Sequence, residues 1–434
     1  MQNKALTGSM IAPLQPVATR QWNRTKQNAH ANYLKKLRKI ESATEEGRRP
    51  NRLAREFLHS TQNQMSAALK SLSDQPHPEE AIRIRNQMNF WSRETYRVNW
   101  QLEPKSNGGS RAICKLPTHL KAMHKMIGHI LRAQMLPHDQ LFGIARPKHS
   151  ELSRESGYSR DDAIIRIQEL KQAGFHCMAQ VDIIDCFPSF NPDALYALPL
   201  PEEVIRQTLD TRNIHFPPKE QGQFSFLVPI MGNHIRNPHG PSGLMQGSPA
   251  SSIIFAYFLN KVLYDLPECE DTEVIACFDN IVIASRTNVR LQAMINTLAG
   301  TLRQCCAGPF ELHPPVYSND DGFEFLGYLL SADGQTIGIA PDRLAKLEAR
   351  LNNLESLNVE NPSINTVKIW KAIASFANGY SEISDPREEL RLYLETTETM
   401  LVDADLGDLV ALQDMLFVSN GPLRDQLINR ILSM

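Results

Sequence analysis

Residues 274–285 read VIACFDNIVIAS, two apolar runs split by Asp279 and Asn280. Such runs, with turn-forming residues between them, predict two β-strands, Val274-Ile275-Ala276 and Ile281-Val282-Ile283-Ala284, joined by a tight turn. A lone carboxylate buried in apolar surroundings costs several kcal/mol unless a cation or a hydrogen-bond donor meets it. Asp279 is therefore either ordinary Asp-Asn turn chemistry or the tip of a hairpin that carries a carboxylate into a site. The second reading needs a partner acid, and AQVDIIDCFPSF supplies one. Asp182 stands near the end of an apolar strand there, followed by Asp185 and Phe187. Two carboxylates brought together from different strands make an oxygen-rich site suited to Mg²⁺. Taken singly, an Asp at a strand end is more often a cap or turn residue.

Around these runs the chain reads as α+β. Residues 1–100 are predicted helical, with a break at SDQPHPEE (73–80). LEPKSNGGSRAICKLP (102–117) predicts two short strands about the turn Ser106-Asn107-Gly108-Gly109-Ser110. Helices are predicted at HLKAMHKMIGHILRAQM and at 161–175, the latter between Asp161 as cap and Gly174 as stop. Within 240–266 a Gly/Ser/Pro loop opens a further helix with Ile253, Phe255, Phe258, Leu259 and Val262 on its apolar face. CMAQVDII predicts a strand running to Asp185, and FEFLGYLL (323–330) a single further strand. Residues 146–160 read as an exposed loop, 200–240 as an irregular Pro-rich stretch, and everything from Asp342 onward as helix.

At 434 residues the chain can hold two or three subdomains. No run approaches the roughly 18 apolar residues that a bilayer requires, and MQNKALTGSM lacks an apolar signal core, which predicts no membrane partner. The seven cysteines show no CxxC pair, and several lie in apolar strands, which predicts buried free thiols in a reducing cytoplasm. The net charge of −2 is unevenly spread: residues 1–60 hold twelve Lys/Arg against four Asp/Glu, and 381–434 hold four against eleven. The basic arm suits a phosphate backbone, or forms a solvated amphipathic helix. The acidic end suits a protein partner or a second subunit of a homo-oligomer.

The order and spacing of these segments resemble the polymerase domain of bacterial reverse transcriptases, which include group II intron proteins, retrons and the abortive-infection and defence-associated lineages. VDIIDCF resembles the first palm motif, an Asp followed five positions later by an aromatic, and LMQGSPASS resembles the Gln-Gly-Ser-Pro-x-Ser motif. CFDN stands where Tyr-x-Asp-Asp is usual, and FEFLG resembles the Phe-Leu-Gly strand that grips the primer. PKSNGGSRAICKLPTHLKAMHKMIGHIL resembles a fingers segment, and LFGIARPKHS is a weaker match to the Gly-Phe-x-x-x-x-Ser segment that follows it. The similarity covers roughly residues 100–330. It implies a right-hand polymerase: a basic helical extension over 1–95, fingers over 96–180, and a palm over 181–335 with part of the fingers in the 200–240 insertion. A helical thumb and acidic C-terminal helices over 336–434 complete it.

The same resemblance implies roles. Asp182 and Asp279, helped by the Ile183 carbonyl, would hold Mg²⁺, or Mn²⁺ as the alternative, with Asn280 in the catalytic set. Lys105 and Arg111 would reach the triphosphate of an incoming dNTP, Arg by bidentate contact; their plainer reading is a basic surface hairpin. Asp185 and Cys186 would offer backbone N–H groups to the phosphates. Gln246 would line the nucleotide pocket, with Gly247 allowing close backbone approach; otherwise this is a helix-capping loop. Phe187 would pack under the sugar and disfavour ribonucleotides, or serve as core. The implied activity is RNA-directed DNA synthesis, with an RNA template and a DNA product. No endonuclease, protease, RNase H or maturation segment is recognised after the thumb. That suggests a stand-alone bacterial enzyme, with a dedicated non-coding RNA and phage defence implied by analogy. Some positions depart from the pattern. Cys277 and Phe278 replace Tyr-x, Asn280 replaces the second Asp, and Ser252 replaces a Pro. GPFELHPPVYS (308–318) lacks a Lys common in relatives, with His313 a conceivable substitute. These departures keep a second expectation open, a catalytically silent polymerase-like RNA-binding or scaffold protein.

Overall fold

In the computed structural model the two apolar runs around Asp279 do form an antiparallel hairpin, paired from Thr272↔Ser285 to Cys277↔Asn280. The structure describes residues 16–46, 51–72, 78–104, 110–135, 150–151, 160–217, 241–318, 322–332, 334, 337–343, 345–347 and 349. In chain order its main helices are α1 (Pro16–Glu45), α2 (Asn51–His59), α3 (Thr61–Leu69), α4 (Pro78–Gln87), α5 (Thr118–Gln134), α6 (Arg160–Gln172), α7 (Ser251–Tyr264) and α8 (Asn288–Gln304). The strands are β1 (Asn99–Pro104), β2 (Ser110–Lys115), β3 (Ser150–Glu151), β4 (Cys177–Asp182), β5 (Thr272–Cys277), β6 (Asn280–Ser285), β7 (Val316–Tyr317), β8 (Phe323–Phe325), β9 (Tyr328–Leu330) and β10 (Ile337–Ile339). Two compact units are present, one from 1–147, 184–262 and 301–311, the other from 148–183, 263–300 and 312–434. The expected divisions after 95, 180 and 335 run along the chain, whereas each unit is gathered from three segments.

In the first unit, α1 packs against α3 and α5 through Ala29, Tyr33, Ile40 and Ala43, buried at helical spacing. The predicted helical N-terminal region is present as α1 to α4 with a further break at Ser60, but helix ends at Gln87 rather than continuing to residue 100, where β1 has already begun. α5 buries Leu120, Met123, Met126, Ile127, Ile130 and Leu131. β1 and β2 form the predicted hairpin in register Asn99↔Lys115 to Pro104↔Ser110, its turn lying outside the described residues. All five residues predicted for the apolar face of α7 are buried. Phe255 and Phe258 meet Phe310 and Phe190 edge-on at 5.8 and 5.5 Å. Each such ring contributes roughly 1.5–3 kcal/mol by burial.

The second unit is built on a five-stranded sheet in the order β3-β5-β6-β4-β7. Ala163, Ile164, Ile167 and Leu170 of α6 share a core with Met178, Ile275, Val282 and Ala284 of the sheet and with Phe323, Phe325, Tyr328 and Leu330. Three expectations are corrected here. β4 stops at Asp182 rather than Asp185, because the chain turns from Ile184 and Asp185 takes φ 44°. FEFLGYLL is two strands, not one: Leu326 at φ 53° and Gly327 at φ 86° fold it into a hairpin with Phe325 opposite Tyr328. Ser150–Glu151, predicted as loop, is a short strand parallel to β5. Gly174, at φ 91°, ends the region of α6 as predicted. The cysteines are free; Cys114, Cys186 and Cys277 are buried, while Cys306 is exposed. Residues 351–434 lie outside the described residues, as does the predicted segment 141–149.

Candidate active site

The two acids and their neighbours belong to the second unit. β4 pairs with β6 so that Asp182 stands directly opposite Asn280, the residue that follows the turn Phe278-Asp279. Directly opposed residues of an antiparallel pair present their side chains to one face. Gln180 shares that face. With Asn280, Tyr317, Phe325, Leu326 and Gly327 it lines a cavity of about 500 Å³. Asn280 Nδ2 donates to Asp279 Oδ1 at 3.3 Å. The Ile183 N–H donates to the Asp279 carbonyl, also at 3.3 Å. Asp182, Ile183, Asp279 and Asn280 are thus brought together at one end of β4 and β6.

The turn itself is held by packing. Phe278 takes φ 58°, a left-handed conformation that is costly for a bulky aromatic, and its ring packs on the core beneath α6 and the β8–β9 hairpin. His313 is placed next to Asp182, whose carbonyl accepts its N–H at 2.8 Å, and its side chain is exposed. The Asp182 and Asp279 carboxylates, the Asn280 amide and the Ile183 carbonyl, whose residues neighbour one another at this end of the sheet, offer oxygen donors only. Such a set fits a hard divalent cation that retains water ligands. Among the described residues, no group of three or more His, Cys, Asp and Glu side chains forms a cation-holding cluster.

The expected nucleotide-facing residues fall in the first unit. Asp185, left-handed at φ 44°, opens a turn that the Ser189 N–H closes on the Asp185 carbonyl at 2.8 Å. A left-handed residue among successive amides is the conformation of an anion nest. The Cys186 side chain is buried, so the turn can present its backbone and not its thiol. Phe187 is half-buried, with its ring edge-on to Phe255 at 6.3 Å, so it is part of the packing and still reaches water. The Gln246 carbonyl accepts the Cys114 N–H of β2 at 2.7 Å. Gly247 takes φ 96°, and a Cβ there would lie 2.6 Å from the Cys114 carbonyl oxygen, so only glycine permits this approach. Gln246 Oε1 is buried with no hydrogen-bond partner among the described residues. Arg111 is exposed on β2 opposite Glu103, and Lys105 lies outside the described residues.

His124 of α5 was not singled out by the sequence reading. Its ring is fully buried, with Nδ1 2.7 Å from Ser248 Oγ and Nε2 2.8 Å from the Thr208 carbonyl oxygen. A carbonyl only accepts, so Nε2 carries the proton and Nδ1 accepts from the Ser248 hydroxyl. Ser248 Oγ in turn accepts the Ala250 N–H at 3.0 Å, just before α7 begins. Burial pushes the imidazole down to about 4, partly offset by the bond to the Thr208 carbonyl, and the ring is neutral at pH 7. No local signal marks this residue, because the loop it fixes lies 124 positions further along the chain.

The acid at the end of β4 and the acid in the β5–β6 turn, with the aromatic and the Gln-Gly-Ser-Pro loop between them in the chain, are the features that the resemblance to a polymerase predicts. Residues 103–313 match the family described as reverse transcriptase (RNA-dependent DNA polymerase). Over that segment, just under half of the chain, the sequence is similar to the reverse transcriptase domain of RNA-directed DNA polymerases. No curated protein matches the sequence. Among solved structures, telomerase from Candida albicans in complex with a TWJ fragment of telomeric RNA aligns at 12% identity and a TM-score of 0.39, over 78% of this chain and 63% of that one. Apo telomerase from Candida tropicalis aligns at 11% identity and a TM-score of 0.40, over 71% and 59%. The chain spans less than two thirds of either telomerase chain.

Proposed function

We propose that this chain is a reverse transcriptase that copies an RNA template into DNA from dNTPs. The observation that carries the proposal is the register of β4 on β6: Asp182 stands opposite Asn280 while the Ile183 N–H meets the Asp279 carbonyl. Asp182, Asp279 and the Ile183 carbonyl would hold the divalent cation, Mg²⁺, or Mn²⁺ given the neutral Asn280. Held by these residues, such a cation would supply acidity to the attacking hydroxyl and positive charge to the leaving group. In the reaction the primer 3′-oxygen bonds to the α-phosphorus, the bond from that phosphorus to the bridging oxygen breaks, the hydroxyl proton is lost, and pyrophosphate leaves. Arg111 and Lys105 supply positive charge to the triphosphate, the Asp185-Cys186 turn supplies N–H donors, and Gln246 Oε1 accepts from the bound nucleotide.

Phe187 selects the sugar by leaving a 2′-hydroxyl neither room nor partner. Phe187→Ala is expected to retain dNTP use while the ratio of kcat/KM for dNTP over rNTP falls about 10-fold or more, read by single-nucleotide extension. The deciding experiment for the activity is extension of oligo(dT) on poly(rA) with dTTP by the purified chain. Failure under both Mg²⁺ and Mn²⁺, in a sample that melts cooperatively, would overturn the proposal and leave a silent RNA-binding scaffold. We further propose a bacterial, cytoplasmic enzyme that works on a dedicated non-coding RNA in phage defence. The support is the similarity of VDIIDCF, LMQGSPASS and FEFLG to the palm motifs of bacterial reverse transcriptases, with the defence role drawn by analogy to members of that family. Cells carrying Asp182→Ala are expected to lose protection against phage, and unchanged protection would separate synthesis from defence.

A further inference from the structure

α5 buries ten of its seventeen residues in the first unit, and most of the rest that reach water fall on one face. Thr118, Lys121, Lys125, His129 and Arg132 recur at three- and four-residue spacing, the period of one helix face. α5 contains no acidic residue, and neither does α3. The stripe is joined by a cation from α3: Lys125 Nζ donates to the Lys70 carbonyl, and the Lys70 ammonium lies 5.1 Å from the centre of the Tyr33 ring. Tyr33 Oη in turn bonds His129 Nδ1. Lys70, Lys121 and Lys125 make no ion pair among the described residues. Folding therefore brings Lys70, Lys121 and Lys125 together with no carboxylate paired to any of the three among the described residues. Burial, then Lys121 and Lys70, hold the Lys125 ammonium below its usual range. Burial, then Lys70, Arg132 and Lys125, push His129 down to about 4.

We propose that Lys121, Lys125 and Arg132 of α5, with Lys70, form a track for the phosphate backbone of a folded RNA. The proposal rests on the reading of the chain as a reverse transcriptase and names one surface by which it would hold its RNA. From Lys121 to Arg132 the helix rises about 16 Å. A row of like charges of that length matches a polymer with an anion at every repeat better than it matches one acidic side chain. Among the described residues neither α3 nor α5 exposes a large apolar side chain, which the core of a protein interface would need. The ligand chemistry is thus a polyphosphate chain.

The test uses the full chain and a fluorescein-labelled RNA hairpin of arbitrary sequence, with Kd measured across NaCl concentrations. The double variant Lys121→Gln, Lys125→Gln is expected to bind about 10-fold more weakly at low salt. Its slope of log K against log salt should be shallower by about 1.4–1.8, two phosphate contacts' worth. Lys121→Arg, Lys125→Arg, which keeps the charge, should bind like the unaltered chain, and thermal melting of all three proteins excludes unfolding as the cause. Coincident slopes for the unaltered and neutralised proteins would overturn the track while leaving polymerase activity intact. Failure of the poly(rA) extension by the unaltered chain would overturn the enzymatic reading instead, with the RNA slopes still measurable.

Discussion

Asp279→Asn is expected to yield a protein that melts like the unaltered chain and incorporates dNTP about a thousandfold more slowly. The substitution keeps the shape of the side chain and the Phe278-Asp279 turn, and removes one negative charge from the oxygen donor set. Stabilisation of a transferring phosphoryl group by a clamped cation is worth several kcal/mol, and about 4 kcal/mol corresponds to a thousandfold in rate. Asp182→Asn, from the neighbouring strand, should show a loss of the same order. The double variant should be little worse than either, since the proposed function has both carboxylates hold one cation. Single-turnover extension on an RNA template, alongside a melting curve, reads both quantities. An Asp279→Asn protein that kept a tenth of the rate would remove this acid from the chemistry.

His124→Ala is expected to cost about 3–5 kcal/mol of stability, which denaturant unfolding would measure. The change leaves a buried cavity, deprives the Ser248 hydroxyl of its acceptor, and strands the Thr208 carbonyl. The same residue gives the stability a pH dependence. Its folded value, about 4, lies below the usual 6.5, so between those limits the unfolded chain takes up a proton that the folded chain refuses. Stability is therefore full above about pH 6.5 and falls as the pH drops toward 4, by as much as about 3 kcal/mol. His124→Gln cannot titrate, so its stability should fall less than that of the unaltered chain between pH 7 and 4.5. His129 is present in both proteins and cancels from the comparison. Parallel pH curves would show that His124 is not the group responsible.

What the sequence disclosed follows the range of the interactions concerned. The arms of the 274–285 hairpin and the apolar face of α7 could be read directly, since run length and helical spacing are local properties. FEFLGYLL misled because Leu326 is apolar and has no turn chemistry, yet it takes φ 53°; only Gly327 hinted at the hairpin. Ile183 and Ile184 likewise concealed the end of β4, continuing an apolar run past the point where the backbone turns. β3 is two residues long and polar, and its strand character comes wholly from β5 beside it. At the candidate site, the residue types were visible and their resemblance to a polymerase palm suggested that they meet. The register that sets residue 182 against 280 is a long-range outcome of sheet packing. Nothing near His124 announces its partners, which come from two other parts of the chain.

The junction of Cys114 with Gln246 and Gly247 constrains how this enzyme could handle a substrate. A main-chain bond and a contact too tight for any side chain weld the strand bearing Arg111 to the loop bearing Gln246. Neither can slide past the other without breaking the weld. Any swing of the β1–β2 arm would carry both groups along in one stroke, so the contacts proposed for Arg111 with the phosphates and for Gln246 with the nucleotide would be set, or released, together.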